Sequence, residues 1–105
     1  MNRQQCADQR SKAFHVMIAA KLRAHPELWV IPKQNIQRWE KEMRGLPSAL
    51  YEWSCILQTS SKEKILTILE SDTEEAQRLR SSSPFTGILT SSERKTIIES
   101  FRQLT

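Results

Sequence analysis

The residues able to do chemistry fall into two groups, one near each end of the chain. The first is Asp8-x-Arg10-x-x-x-x-His15. An arginine can hold a phosphodiester with its planar fork of donors. A histidine can take the proton from a ribose 2′-hydroxyl as general base. Together they would cleave RNA without a metal. On a helix, five residues turn Arg10 and His15 about 140° apart. The competing reading is therefore a surface arginine and a partly packed histidine.

The second group is the stretch Arg78-Leu79-Arg80-Ser81-Ser82-Ser83-Pro84-Phe85-Thr86-Gly87-Ile88-Leu89-Thr90-Ser91-Ser92-Glu93-Arg94. It reads as the end of one helix, a compact loop and the capped start of another. Pro84 disfavours helix at Ser83, and Gly87 supplies a backbone angle that other residues resist. Two readings compete. In one, Phe85 plugs into the core and Pro84, Gly87 and Glu93 shape a connector that closes the bundle. In the other, the loop displays Ser82 and Ser83 between Arg80 and Arg94 as a partner-binding surface, joined by Asp8, Arg10 and His15.

Other chemistries find less footing. His15 and His25 lack a Cys or carboxylate at ligand spacing, so no metal site is expected, and no cofactor is called for without a glycine-rich phosphate loop. Residues 62–80 can be drawn as helix–turn–helix around Ser71-Asp72-Thr73. Glu74 and Glu75 would then stand where base-reading residues belong and would repel phosphate. Trp29, Trp39 and Trp53 read as core rather than as base-stacking platforms.

The elements that must position these groups read as helices throughout. Phe14, Ile18 and Leu22 recur every four residues from a start at Asp8 or Ser11, with Met17 beside them. His25-Pro26 ends that helix. A second opens at Pro26, with a break or kink expected near Ile31-Pro32; Ile36, Trp39 and Met43 share its face and Gly45 stops it. Pro47 starts a third, carrying Leu50, Trp53, Ile56 and Leu57. Ser60-x-x-Glu63, Ser71-x-x-Glu74 and Thr90-x-x-Glu93 are three candidate capping boxes. They precede the stripes Ile65-Leu66-Ile68-Leu69, Ala76-Leu79 and Ile97-Ile98-Phe101-Leu104. No segment alternates as a strand does. The expected fold is all-α, a compact bundle of about five or six short helices, with residues 1–7 a flexible N-terminus and 8–105 a single helical domain.

Composition agrees. A chain of 105 residues can bury one modest core without metals or disulfides. No apolar run is long enough for a membrane span, and the polar start shows no signal-peptide segment. Cys6 and Cys55 form no disulfide framework and suit a reducing cytoplasm. The net charge of +4 is uneven: residues 1–45 carry nine Lys/Arg against four Asp/Glu, residues 46–75 two against six, and residues 76–105 five against two. The basic ends allow weak binding to nucleic acid, or solvated helix faces and nothing more.

Two resemblances follow. Arg10-x4-His15 resembles the short active-site motif of HEPN-type ribonucleases, which are small and all-helical; there the motif normally lies in a later helix. More of the chain resembles a family of small bacterial proteins. The matching residues are Asp8-Gln9-Arg10-Ser11 with His15, Lys21-Leu22-Arg23, Pro26-Glu27-Leu28, Trp39, Glu52-Trp53, Ile56-Leu57 and the stretch from Arg78 to Arg94. This chain departs from that family at Pro32 and at Lys95, where a tryptophan-like residue is expected. The second resemblance implies a small operon shared with a nucleotidyltransferase or another toxin–antitoxin component. It points to a non-enzymatic, antitoxin-like or regulatory protein, its partner another protein made by a neighbouring gene. The HEPN-like ribonuclease and a nucleic-acid-binding module are the alternatives.

Overall fold

The computed structural model describes residues 2–102. Among them are six α-helices, one 3-10 turn and no strand: α1 (Arg3–Ala24), the turn Pro26–Trp29, α2 (Val30–Met43), α3 (Ser48–Thr59), α4 (Lys62–Glu70), α5 (Glu74–Arg80) and α6 (Ser91–Arg102). The all-α bundle read from the sequence is the observed architecture.

Each boundary has a local cause. The first helix begins well before Asp8, because the Asn2 side chain accepts from the Gln5 N–H while the Gln5 side chain accepts from the Asn2 N–H. Most of the stretch set apart as a flexible terminus is therefore the first part of α1. The break expected at Ile31-Pro32 falls earlier, between the 3-10 turn and α2. Pro32 is then the third residue of α2, where no intrahelical N–H bond is due and a proline costs nothing. Arg44 ends α2 in the left-handed region (φ 55°), and the N–H of Gly45, itself at φ 129°, bonds back to the Glu40 carbonyl.

Two expected capping boxes shift. Ser61, not Ser60, caps α4 by accepting from the Lys64 N–H, and Thr73, not Ser71, caps α5 by accepting from the Ala76 N–H. The third is as expected. The Thr90 hydroxyl accepts from the Glu93 N–H at 3.1 Å, and the Glu93 carboxylate accepts from the Thr90 N–H at 2.8 Å.

The core sits around α1, which packs against α4, α5, α6 and the 3-10 turn. Ala19, Leu22, Trp53, Leu69 and Phe85 are its least exposed members. Trp29 and Trp53 are buried and Trp39 half-buried, in keeping with their reading as core. Met43, expected on the same face as Ile36, is 53% exposed because α2 runs past the core there. Leu104, placed on the α6 stripe from its spacing, lies outside the described residues. No described helix is long and apolar enough to cross a membrane.

Candidate functional site

The loop between α5 and α6 packs Pro84, Phe85, Ile88 and Leu89 into the interior, while Ser81, Thr86, Gly87 and Thr90 stay exposed. Its irregular backbone offers carbonyls that no helix satisfies, and two other elements supply the donors, while a third bonds the end of α5. Asn35 of α2, itself buried, donates from Nδ2 to the carbonyls of Pro84 (2.9 Å) and Thr86 (2.8 Å). Lys21 of α1 donates from Nζ to the Ile88 carbonyl and to the Glu93 carboxylate, both at 2.8 Å. Trp53 of α3 donates from Nε1 to the Leu79 carbonyl at 2.7 Å. Its ring meets Phe85 edge to face, centroids 5.4 Å apart. Phe85 is 1% exposed, and Pro84, Ile88 and Leu89 are buried with it. Gly87 adopts φ 97°, the left-handed region glycine alone takes without strain. The connector reading of the loop is the one its packing matches.

Arg80 itself does not fit the display reading. It is 4% exposed, and its Nη1 donates to the carbonyls of Ile68 (2.9 Å) and Ser71 (2.6 Å), groups left bare where α4 ends. A guanidinium so placed ties α5 to α4 and offers nothing to a partner. Ser82 and Ser83 are half-buried, and the Ser83 hydroxyl accepts from the Phe85 N–H. Arg94 alone of the loop candidates is exposed, lying over the Phe14 ring at 5.1 Å. Glu93, held by Lys21 and by the Thr90 N–H, has its carboxyl pKa lowered to about 2.

Arg10 and His15 are not brought together. Arg10 is exposed, whereas His15 is 6% exposed, with Nδ1 2.7 Å from the Ser11 carbonyl. That bond requires the proton on Nδ1 and leaves Nε2 as the bare nitrogen, buried and without a protein partner among the described residues. Burial pushes the His15 pKa below the ordinary value, and the positive charge of Arg80 pushes it further down. The enclosed imidazole, within electrostatic reach of Arg80, is packed into the core. Asp8 is half-buried and accepts from Gln4 at 3.0 Å.

What the structure offers instead lies along α1, which carries two apolar stripes. One holds His15, Ile18, Ala19 and Leu22, all buried. The other holds Ala13, Val16, Met17 and Ala20, and it forms the floor of an open groove of about 800 Å³. Ile97 and Phe101 of α6 line the groove with it, as do Gln9, Lys12 and Asp72 from the α4–α5 turn. Lys12 and Asp72 form an ion pair that lowers the Asp72 pKa. Val16, at 41%, is among the most exposed large apolar residues described. Sequence reasoning put Met17 beside the core stripe, against which it is partly packed, and passed over Ala13, Val16 and Ala20. The available signal was an excess: α1 has more apolar residues than one buried stripe can use.

Among the described residues, no group of three or more His, Cys, Asp or Glu could hold a metal. Cys6 is half-buried and Cys55 exposed, both free. No protein-family model matches the chain, and no curated protein or solved structure is similar to it.

Proposed function

We propose that this protein is a non-enzymatic protein-binding module that docks its partner in the groove along α1, not on the α5–α6 loop. The carrying observation is the second apolar stripe of α1. Ala13, Val16, Met17 and Ala20, with Ile97 and Phe101, make a continuous apolar strip lined at its edge by Gln9 and the Lys12–Asp72 pair. An apolar strip with a polar border is the usual form of a protein interaction surface. Alanines at 13 and 20 let a neighbouring helix approach α1 closely. The separation of exposed Arg10 from buried His15 weighs against RNA cleavage.

The resemblance built on Asp8 to His15 and Arg78 to Arg94 supports the finer reading. On that reading the module is the antitoxin-like or regulatory half of a bacterial two-gene system, working in the cytoplasm on the product of the adjoining gene. The test is co-expression with that product. The wild type should co-elute with it on gel filtration. Val16→Asp, which puts a carboxylate in the groove at an already exposed site, should lose the complex and keep its melting temperature. Lys95→Ala, on an exposed part of α6, should keep both. Retention of the complex by Val16→Asp would move the docking surface elsewhere.

A further inference from the structure

The two banks of the α1 groove differ in charge. Lys12 and Arg23, eleven residues apart, lie close to one line of the helix on the Val16 side. Both are neutralised, Lys12 by Asp72 and Arg23 by a bidentate pair with Glu70 at 2.7 Å. Arg3, Arg10 and Met17 are spaced by sevens and lie near another line, on the Met17 side. Arg3 and Arg10 are exposed and form no ion pair with any described residue. The Val16 side is balanced, and the Met17 side carries, beyond the lining of the groove itself, two exposed guanidinium groups a heptad apart that no described residue pairs.

The floor between the banks runs from Gln9 to Ala20, eleven residues of helix and about 17 Å. Continuing to Arg3 extends the surface to about 25 Å, the length of a helix of some 17 residues. We infer that the groove receives an amphipathic helix of a partner protein, with an apolar stripe for the floor and carboxylates about seven residues apart on one flank, set to pair with Arg3 and Arg10. The inference rests on the groove being the docking surface.

Charge also sets this occupant apart from a second copy of the chain. The α1 helix bears five basic residues and one acidic residue, so a second α1 laid in the groove would set like charges together. Nucleic acid would satisfy the arginines but leave the apolar floor uncovered.

The probes are two synthetic helical peptides sharing one leucine stripe. One has glutamates on a flank at seven-residue spacing, and the other has lysines there. Binding to the purified chain is read by fluorescence anisotropy at low and high salt. The glutamate peptide should bind about tenfold tighter, since two exposed charge pairs contribute modestly each, and the advantage should shrink with salt. Arg3→Glu/Arg10→Glu should reverse the preference with the melting temperature unchanged, and Val16→Asp should weaken both peptides. Equal binding of both peptides, still lost in Val16→Asp, would overturn the acidic partner and leave the groove standing. No binding of either peptide by the folded chain would overturn both readings. Self-association abolished by Val16→Asp would make the occupant a second copy. Tight binding of an RNA oligonucleotide that needs Arg3 and Arg10, with no preference between the peptides, would make it nucleic acid. Either result overturns the inference.

Discussion

Arg80 permits a sharp test, because its type suggests solvent and its position denies it. Replacing it by methionine keeps most of the stem volume and removes the guanidinium. Two carbonyls, Ile68 and Ser71, then lose donors at 2.9 and 2.6 Å in a site where Arg80 is 4% exposed. An unsatisfied buried acceptor costs about 1–3 kcal/mol. Relief of the desolvation penalty on the charge offsets part of the two together, so about 2–4 kcal/mol of net destabilisation is expected. In a domain whose whole stability is about 5–15 kcal/mol, that is a large fraction, equivalent to a fall in Tm of about 10–20 °C. Urea unfolding followed by far-UV circular dichroism measures it, with Arg10→Met as the exposed control at about 0.5 kcal/mol or less. Arg80→Met unfolding within about 0.5 kcal/mol of that control would refute the reasoning, showing that water satisfies both carbonyls.

Phe85→Ala should cost about 3–5 kcal/mol in the same assay, because it removes a ring packed edge to face on Trp53 and leaves a cavity beside it. Gly87→Ala should cost about 1 kcal/mol or more, since φ 97° strains any side-chain-bearing residue. The Glu93 carboxyl is lowered from 4.5 to about 2 when folded. Its stabilisation is therefore complete above pH 4.5 and lost as the pH falls toward 2, and Glu93→Gln should flatten that part of a stability–pH curve. His15 runs through a different window. Its folded pKa lies below 6.5, so the unfolded chain binds the proton first and stability declines as the pH drops below 6.5; His15→Leu should remove that decline in urea titrations between pH 7 and 5.

The helices were legible because their cause is local. Apolar spacing, Pro26, Pro47 and the Thr90–Glu93 box act within a turn or two of chain. Caps that shifted by one or two residues did so where hydroxyls crowd together, at Ser60-Ser61 and at Ser71-Asp72-Thr73. Which of them caps depends on where the chain turns against α1, and no short window contains that. Arg80 was misplaced for a similar reason: the carbonyls it serves lie nine and twelve residues earlier. Lys21 and Asn35 were passed over because their acceptors lie about fifty to seventy residues away. The groove was hidden differently. Periodicity counted the apolar residues of α1 but could not say which stripe the other helices would cover.

These misses share a physical origin. Where backbone leaves regular structure inside a core, its polar groups need side-chain partners or hydroxyl-bearing turns, and its sharp bends need proline and glycine. A buried connector therefore collects arginine, serine, proline, glycine and an aromatic, the same types that a recognition loop displays. A helix face that receives another helix needs only small and apolar residues, and alanine, valine and methionine in a helix look like ordinary filling. In this chain the chemically rich stretch from Arg80 to Glu93 holds α1, α2, α3 and α4 to one another. The plain stripe of Ala13, Val16, Met17 and Ala20 floors the groove left open beside it.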